Sequence, residues 1–418
     1  MALHRTADGS EIAIIGRLIF ATPQLAPPAI ADLAADAPAA LRNATGRFAV
    51  IVCKGGAVSV FHDAFGARSI FYRGDPRAPA FASHSGLLAH AYGIPLAEAP
   101  LRIVASREYT KQVVRTLPGD LTMFEDVFAL IPNNMLEFPT MRTRRYWPAS
   151  PREPTDFEAF FREIDALYAA AIADGRRRGL SPLFGITGGI DSRAIYSAWL
   201  NAGVPFRGVT WSRPLKEKEL PIIDAILRRT SIPHVHHVEI ASPSWGGIAS
   251  VGRANGGEHR DPSMLTAAMH GLYGRSSTDV FLSGLGGEIV RGFYFRVHDM
   301  KEWTPRAMAA AFNPAAGGAY RNLLEGAFEG YWERANYREL ERMGFALNDL
   351  FYWEHRMGTW GATRLNELDP VMFSLPVING RRAYEAAFGL PDEERLTKEL
   401  LRRVVQRYDA GLAAIPVA

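Results

Sequence analysis

The chain of 418 residues is 48% apolar and 22% charged, with a formal net charge of +3; this gives room for two domains with cores of their own and excludes a disordered or fibrous protein. So small an excess of positive charge gives no reason to invoke nucleic acid, and Cys53, the only cysteine, excludes an intrachain disulfide and a cysteine-based metal site. Residues 1–12 carry charges where a signal peptide would be apolar, and no apolar run is long enough to cross a bilayer, so a cytoplasmic location without membrane contact is expected.

Residues 1 to about 150 read mostly as strands. Apolar runs at 12–15 and 18–20 flank Gly16, and an Ala/Pro-rich stretch at 26–40 reads as a loop and short helix. A strand over 46–52, the tight turn Lys54-Gly55-Gly56 and a returning strand over 57–62 form a hairpin. Cys53 belongs to this apolar strand, where an inert buried thiol is expected. From about 151 to 418 short strands alternate with helices. An amphipathic helix spans 157–178, with Phe160, Phe161, Ile164, Leu167, Tyr168 and Ile172 on its apolar side. A strand over 183–186 leads through Thr187-Gly188-Gly189 into a helix over 192–200. Strands follow at 206–211, 234–240 and 279–283, with a helix over 221–229. The alternation predicts a doubly wound parallel sheet, whose ligands sit at the carboxyl ends of its strands. Thr187, Thr210-Trp211 and Ser283-Gly284 all fall at such ends.

The stretch Phe184-Gly185-Ile186-Thr187-Gly188-Gly189-Ile190-Asp191-Ser192 holds the most chemistry. Two successive glycines let several N–H groups converge and let an anion approach closely. The helix that follows adds its free N–H groups and positive dipole end. Asp191 beside a phosphate would be repelled unless a Mg²⁺ sat between them. No Gly-Lys-Ser/Thr follows, so this is not a Walker loop. Ser283-Gly284-Leu285-Gly286-Gly287-Glu288 is a second glycine-rich strand end with an acid at its close. Alternation puts His234 and His236 on one strand face and His237 on the other; with no acid nearby they read as structural, with zinc as the alternative. Lys216-Glu217-Lys218-Glu219 reads as a solvated helix start.

The Thr187 stretch resembles the Ser-Gly-Gly-x-Asp-Ser loop of the PP-loop ATP pyrophosphatases, with Thr187 keeping the first hydroxyl. A second resemblance runs along the N-terminal half. Residues 63–72, Asp-Ala-Phe-Gly-Ala-Arg-Ser-Ile-Phe-Tyr, are similar to a segment of the glutaminase domain of asparagine synthetases. Phe81-Ala82-Ser83 and the phrases from Phe124-Glu125 to Arg144-Arg145-Tyr146-Trp147-Pro148 follow in the family's order. The chain therefore resembles the asparagine synthetase-like family, with β-lactam synthetases and lasso-peptide cyclases as relatives. The fold this implies is α/β: an N-terminal Ntn-hydrolase-like α+β domain over 1–150, then a doubly wound PP-loop synthetase domain over 151–418.

The resemblance also assigns roles. Thr187, Gly188, Gly189, Asp191, Ser192, Ser283, Gly284 and Gly286 would bind ATP, and Asp191 with Glu288 would hold Mg²⁺. Thr210 and Trp211 would contact adenine through the backbone, or Trp211 would pack on the sheet edge. Leu285 and Met372 stand where the family has glutamates, and Met372 replaces the glutamate of the β-lactam synthetase Tyr–Glu dyad. Ala2 stands where glutamine-using members carry the nucleophilic Cys, and the glutamine-holding phrase is absent, so glutaminase chemistry is expected to be lost. The family's C-terminal Lys has no counterpart after Ile415-Pro416, either because the sequence stops short of it or because another cation serves; Lys398 and Arg291 are the candidates. Glu354-His355-Arg356 would hold a base or form an ordinary helix surface.

The expected activity is an ATP-dependent amide ligase that adenylates a carboxylate and passes it to an amine, without glutamine. Its partners would be small-molecule or peptide carboxylates and amines, with a homodimer among the open assemblies. The alternative is a non-catalytic scaffold that binds nucleotide or a protein partner. Modification of tRNA through the same loop is disfavoured by the weak net charge and the lack of a basic, aromatic-rich patch.

Overall fold

A computed structural model describes residues 1–21, 28–112, 115–212, 219–238, 250, 252–253, 255, 264–274, 276–298 and 300–418. The chain is α/β, with two antiparallel sheets drawn from residues 2–145 and a parallel sheet drawn from 181–376. The larger antiparallel sheet has six strands in the order Ala2–Arg5, Glu11–Phe20, Ala44–Lys54, Ala57–His62, Asn134–Phe138 and Arg142–Arg145. The smaller sets Phe71–Arg73 between Phe81–Ala82 and Val127–Ala129.

Gly16 does not separate two runs, as the sequence suggested. Glu11–Phe20 is one strand, and in its ladder with Ala44–Lys54 Gly16 lies opposite Phe48 and Gly46 opposite Leu18. Both have positive φ, and a Cβ on either would collide with the carbonyl of Arg47 or Arg17. Glycine here permits a close backbone approach within a continuous strand. Cys53 lies near the end of its strand and is half-buried rather than buried.

The parallel sheet has the order His234–Val238, Arg207–Ser212, Ser181–Gly185, Asp279–Ser283, Phe373–Pro376. Every neighbouring pair is parallel. Side chains alternate between its two faces. Leu183, Val209 and Phe281 pack with Met269, Leu368, Val371 and Met372 on one face. Phe184, Val280 and Leu282 join the main core on the other, beneath the helices Phe157–Arg177 and Ile190–Asn201. From Ser181–Gly185 the chain moves outward to two strands on one side, then returns to build Asp279–Ser283 on the other. The strand order thus reverses between these two neighbours, the place where sheets of this kind form a crevice at the carboxyl ends.

The main core does not stop at residue 150: Ile19, Ala64, Phe65 and Ala67 belong to it with Phe160, Trp353 and Tyr384. A polar seam reinforces this junction. Asp63 accepts the backbone N–H groups of Phe48, Ala67 and Arg68 and the side-chain amide of Asn379. Arg47 and Arg68 both bind Asp369. Glu354, 1% exposed, takes both guanidinium nitrogens of Arg145 at 2.7 and 2.8 Å and the Asn133 amide at 2.7 Å. Glu354 sits on a π-helical segment, Phe351–Gly361, inserted between the α-helical turns Leu347–Leu350 and Ala362–Leu368. On the same segment Trp353 donates its indole N–H to the Ala64 carbonyl, and His355 Nε2 accepts the Gly119 N–H at 3.1 Å.

Candidate active site

The central strand runs Pro182-Leu183-Phe184-Gly185 in full burial, then the chain turns through Thr187-Gly188-Gly189 into the helix Ile190–Asn201. Gly189 is the residue before the helix, and no side chain caps it. The first N–H groups therefore lack a capping partner from this residue, as an anion site requires. Thr187 Oγ1 instead accepts the Gly189 N–H at 3.2 Å and lies 3.4 Å from Ser192 Oγ, which fixes the loop's curvature. Gly185 is needed for packing: a Cβ would meet the Trp211 ring at 3.1 Å.

The second glycine-rich end packs directly on the first. A Cβ on Gly284 would lie 2.9 Å from the Ser192 nitrogen, and one on Gly287 would collide with the Asp191 carboxylate. Gly286 adopts φ +102° and passes against the Ile378 carbonyl. Ser283 Oγ accepts the Leu285 N–H at 3.2 Å. The structure thus brings Thr187, Gly188, Gly189, Asp191, Ser192, Ser283, Gly284, Gly286 and Glu288 to one crevice.

Its electrostatics are uneven. Both Asp191 oxygens face the Arg291 guanidinium, at 2.9 and 3.0 Å. Arg291, named as a free catalytic cation from the sequence, is instead the bidentate partner of Asp191. Burial and then the nearby Asp191 charge raise the Glu288 carboxyl from its ordinary 4.5 to about 7. Glu288 Oε2 is sealed from solvent without a hydrogen-bond partner.

Lys398 lies one residue away from the loop. Its ammonium binds the Ala418 carbonyl, and the Ala418 N–H donates to the Gly188 carbonyl at 3.0 Å. Arg193 holds the same segment through the Ile415 and Pro416 carbonyls at 2.6 and 2.9 Å.

Three other candidates are held within the fold. Thr210 spends its hydroxyl on the Ile186 carbonyl at 2.7 Å and pairs with His234 Nε2 at 2.8 Å, so its side chain faces the neighbouring strands, while the expected adenine contact is one of the backbone. Trp211 packs edge-on to Phe281 in the sheet core. Glu354 and His355 form neither a base nor a helix surface: Glu354 is neutralised by Arg145, and burial followed by the Arg356 charge lowers His355 to about 3. Met372 is core. Among the described residues no group of three or more His, Cys, Asp and Glu side chains is placed to hold a metal. Residues 216–218, residues 239–240 and the His237 side chain lie outside the described residues. Ala2 is exposed on the edge strand.

Sequence reasoning missed the wall beside Glu288. Phe293, Tyr294 and Tyr352 pack together there, with Tyr352 5.4 Å from Phe293 and 4.7 Å from Tyr294 between ring centres. The aromatic run 293–295 directly after Arg291 was the available signal.

No protein-family model matches the chain, and no curated protein matches it. Among solved structures it is similar to a glutamine phosphoribosylpyrophosphate amidotransferase from B. subtilis complexed with ADP and GMP, at 12% identity and a TM-score of 0.22. The match covers 69% of this chain and 59% of that one, so the chain spans less than two thirds of that protein's length. Among the described residues no helix is long and apolar enough to cross a membrane.

Proposed function

We propose that the protein is an ATP-dependent amide-bond-forming ligase of the asparagine synthetase-like kind, working without glutamine. One observation carries the reading: the Thr187–Ser192 turn and the Ser283–Glu288 turn pack on each other at the strand-order reversal, with two acids beside an uncapped helix start. In the proposed reaction an oxygen of the substrate carboxylate attacks the α-phosphorus of ATP and the bond to pyrophosphate breaks. The amine then attacks the carbonyl carbon, AMP leaves with the C–O electron pair, and the amine's proton passes to solvent. The helix N–H groups and Thr187 would steady charge on the departing pyrophosphate. Asp191 and Glu288 would hold a Mg²⁺: Glu288 Oε2 is orphaned beside Asp191, an oxygen donor left for a hard cation. The bound metal would neutralise phosphate charge. The substrates would be small-molecule or peptide carboxylates and amines, as in natural-product biosynthesis.

A second reading, a nucleotide- or partner-binding scaffold, draws on Met372, buried in core where the family's dyad would need a glutamate. Calorimetry with an ATP analogue non-hydrolysable between the α- and β-phosphates tests the first. Mg²⁺-dependent binding lost in Asp191→Ala supports a nucleotide site, and AMP with pyrophosphate in a carboxylate screen supports the ligase. Failure of the intact protein to bind overturns it.

A further inference from the structure

Arg356 lies on the π-helical segment, within electrostatic reach of Glu288, Tyr294 and Tyr352. It is partly buried, and among the described residues it has neither a hydrogen bond nor a carboxylate partner. Its guanidinium stacks 4.2 Å over the Trp360 ring. Burial raises Tyr294 to about 12 and Tyr352 well above the ordinary phenol value, so neither offers a negative charge near neutral pH. Asp191, the matched acid of the crevice, is spent on Arg291. Arg364, 6.0 Å from the Trp360 ring centre, is matched by Glu367 at 3.3 Å. Trp360 adds a second donor in want of an acceptor: its indole Nε1 is buried without a partner.

A partly buried guanidinium without a counter-ion carries a desolvation cost, and the indole face offsets part of it. The rigid fork of a guanidinium matches the two oxygens of a carboxylate bidentately. π-helical turns recur at functional sites. We propose that Arg356 and the Trp360 N–H form a carboxylate subsite beside the Glu288 crevice, with Arg356 the residue that selects the acyl substrate. The proposal rests on the ligase reading for the identity of its ligand, but not for the existence of the subsite.

The test is calorimetry with succinate as the carboxylate probe, at constant ionic strength, alongside inorganic phosphate and the ATP analogue. Succinate should bind the wild type, bind Arg356→Gln about tenfold more weakly, and bind Arg356→Lys with intermediate affinity because charge remains without the fork. Trp360→Phe, which keeps the ring and removes the N–H, should also weaken succinate. Analogue affinity should stay within about twofold in all three variants, which also reports a folded crevice. Absence of succinate binding to the wild type, or equal binding by Arg356→Gln, overturns the subsite. Phosphate binding as tightly as succinate, or an equal loss of analogue in Arg356→Gln, reassigns Arg356 to the nucleotide and overturns its role in selection. An intact protein that binds succinate through Arg356 but no analogue sinks the ligase reading alone.

Discussion

The seam between the halves and the crevice at the strand ends are both rich in buried charge, but they settle it differently. At the seam each carboxylate is matched. Glu354 faces Arg145, Asp369 faces Arg47 and Arg68, and Asp63 collects three backbone N–H groups and an amide. At the crevice only Asp191 is matched, by Arg291; Glu288 Oε2 has no partner and Arg356 has no counter-ion among the described residues. Buried charge that is fully paired fixes one arrangement of the chain. Charge left unpaired costs stability and persists where a ligand completes it.

The contrast breaks most visibly at Glu354. Glu354→Gln leaves the Arg145 guanidinium buried and uncompensated, and should cost about 3–5 kcal/mol in denaturant unfolding. A cost under about 1 kcal/mol would mean that the seam pairs are redundant.

The crevice should respond in the opposite sense. The folded-state carboxyl of Glu288 is raised to about 7, so the native state holds a proton that the unfolded chain has released. Stability should therefore fall as pH rises from about 4.5 to about 7. Glu288→Gln should remove that slope and gain no more than about 3 kcal/mol at pH 8, with no gain at pH 4. An unchanged slope would show that Glu288 is not the titrating group. At pH 8, Mg²⁺ at a hundredfold excess over its dissociation constant should stabilise the wild type by about 2–3 kcal/mol, and stabilise Glu288→Gln and Asp191→Asn much less. Equal stabilisation of all three would move the metal elsewhere. Cys53→Ser supplies the floor of the comparison: at a half-buried strand end outside both regions it should change stability by less than about 1 kcal/mol and leave analogue binding intact.

Much of the fold could be read along the chain because strand and helix periods are local properties. The strand Asp279–Ser283 and the hairpin return Ala57–His62 lie where the apolar pattern put them. The strand Phe373–Pro376 was not anticipated, being four residues long and bracketed by Pro370 and Pro376. Gly16 misled because a glycine that bends a strand and one that admits a neighbouring carbonyl look alike in sequence. Asp191 and Glu288 were legible as a pair because each closes a glycine-rich strand end. The partner of Asp191 was not, since Arg291 lies 100 residues away and reaches it only through the parallel pairing of Ser181–Gly185 with Asp279–Ser283. Nor was Arg356, because a run that reads as an ordinary helix hides the wider turn of a π-helix.

That segment gives the N-terminal half a use that needs no nucleophile. Trp353, Glu354 and His355 each bond to a residue between 64 and 145, and Arg356 follows them directly in the chain. The antiparallel half acts as a splint: it holds one end of a lever whose other end reaches the crevice. Removing that half would free the lever without altering a single residue of the Thr187 turn. Any molecule that tilts the strand Arg142–Arg145 would likewise be felt at Arg356.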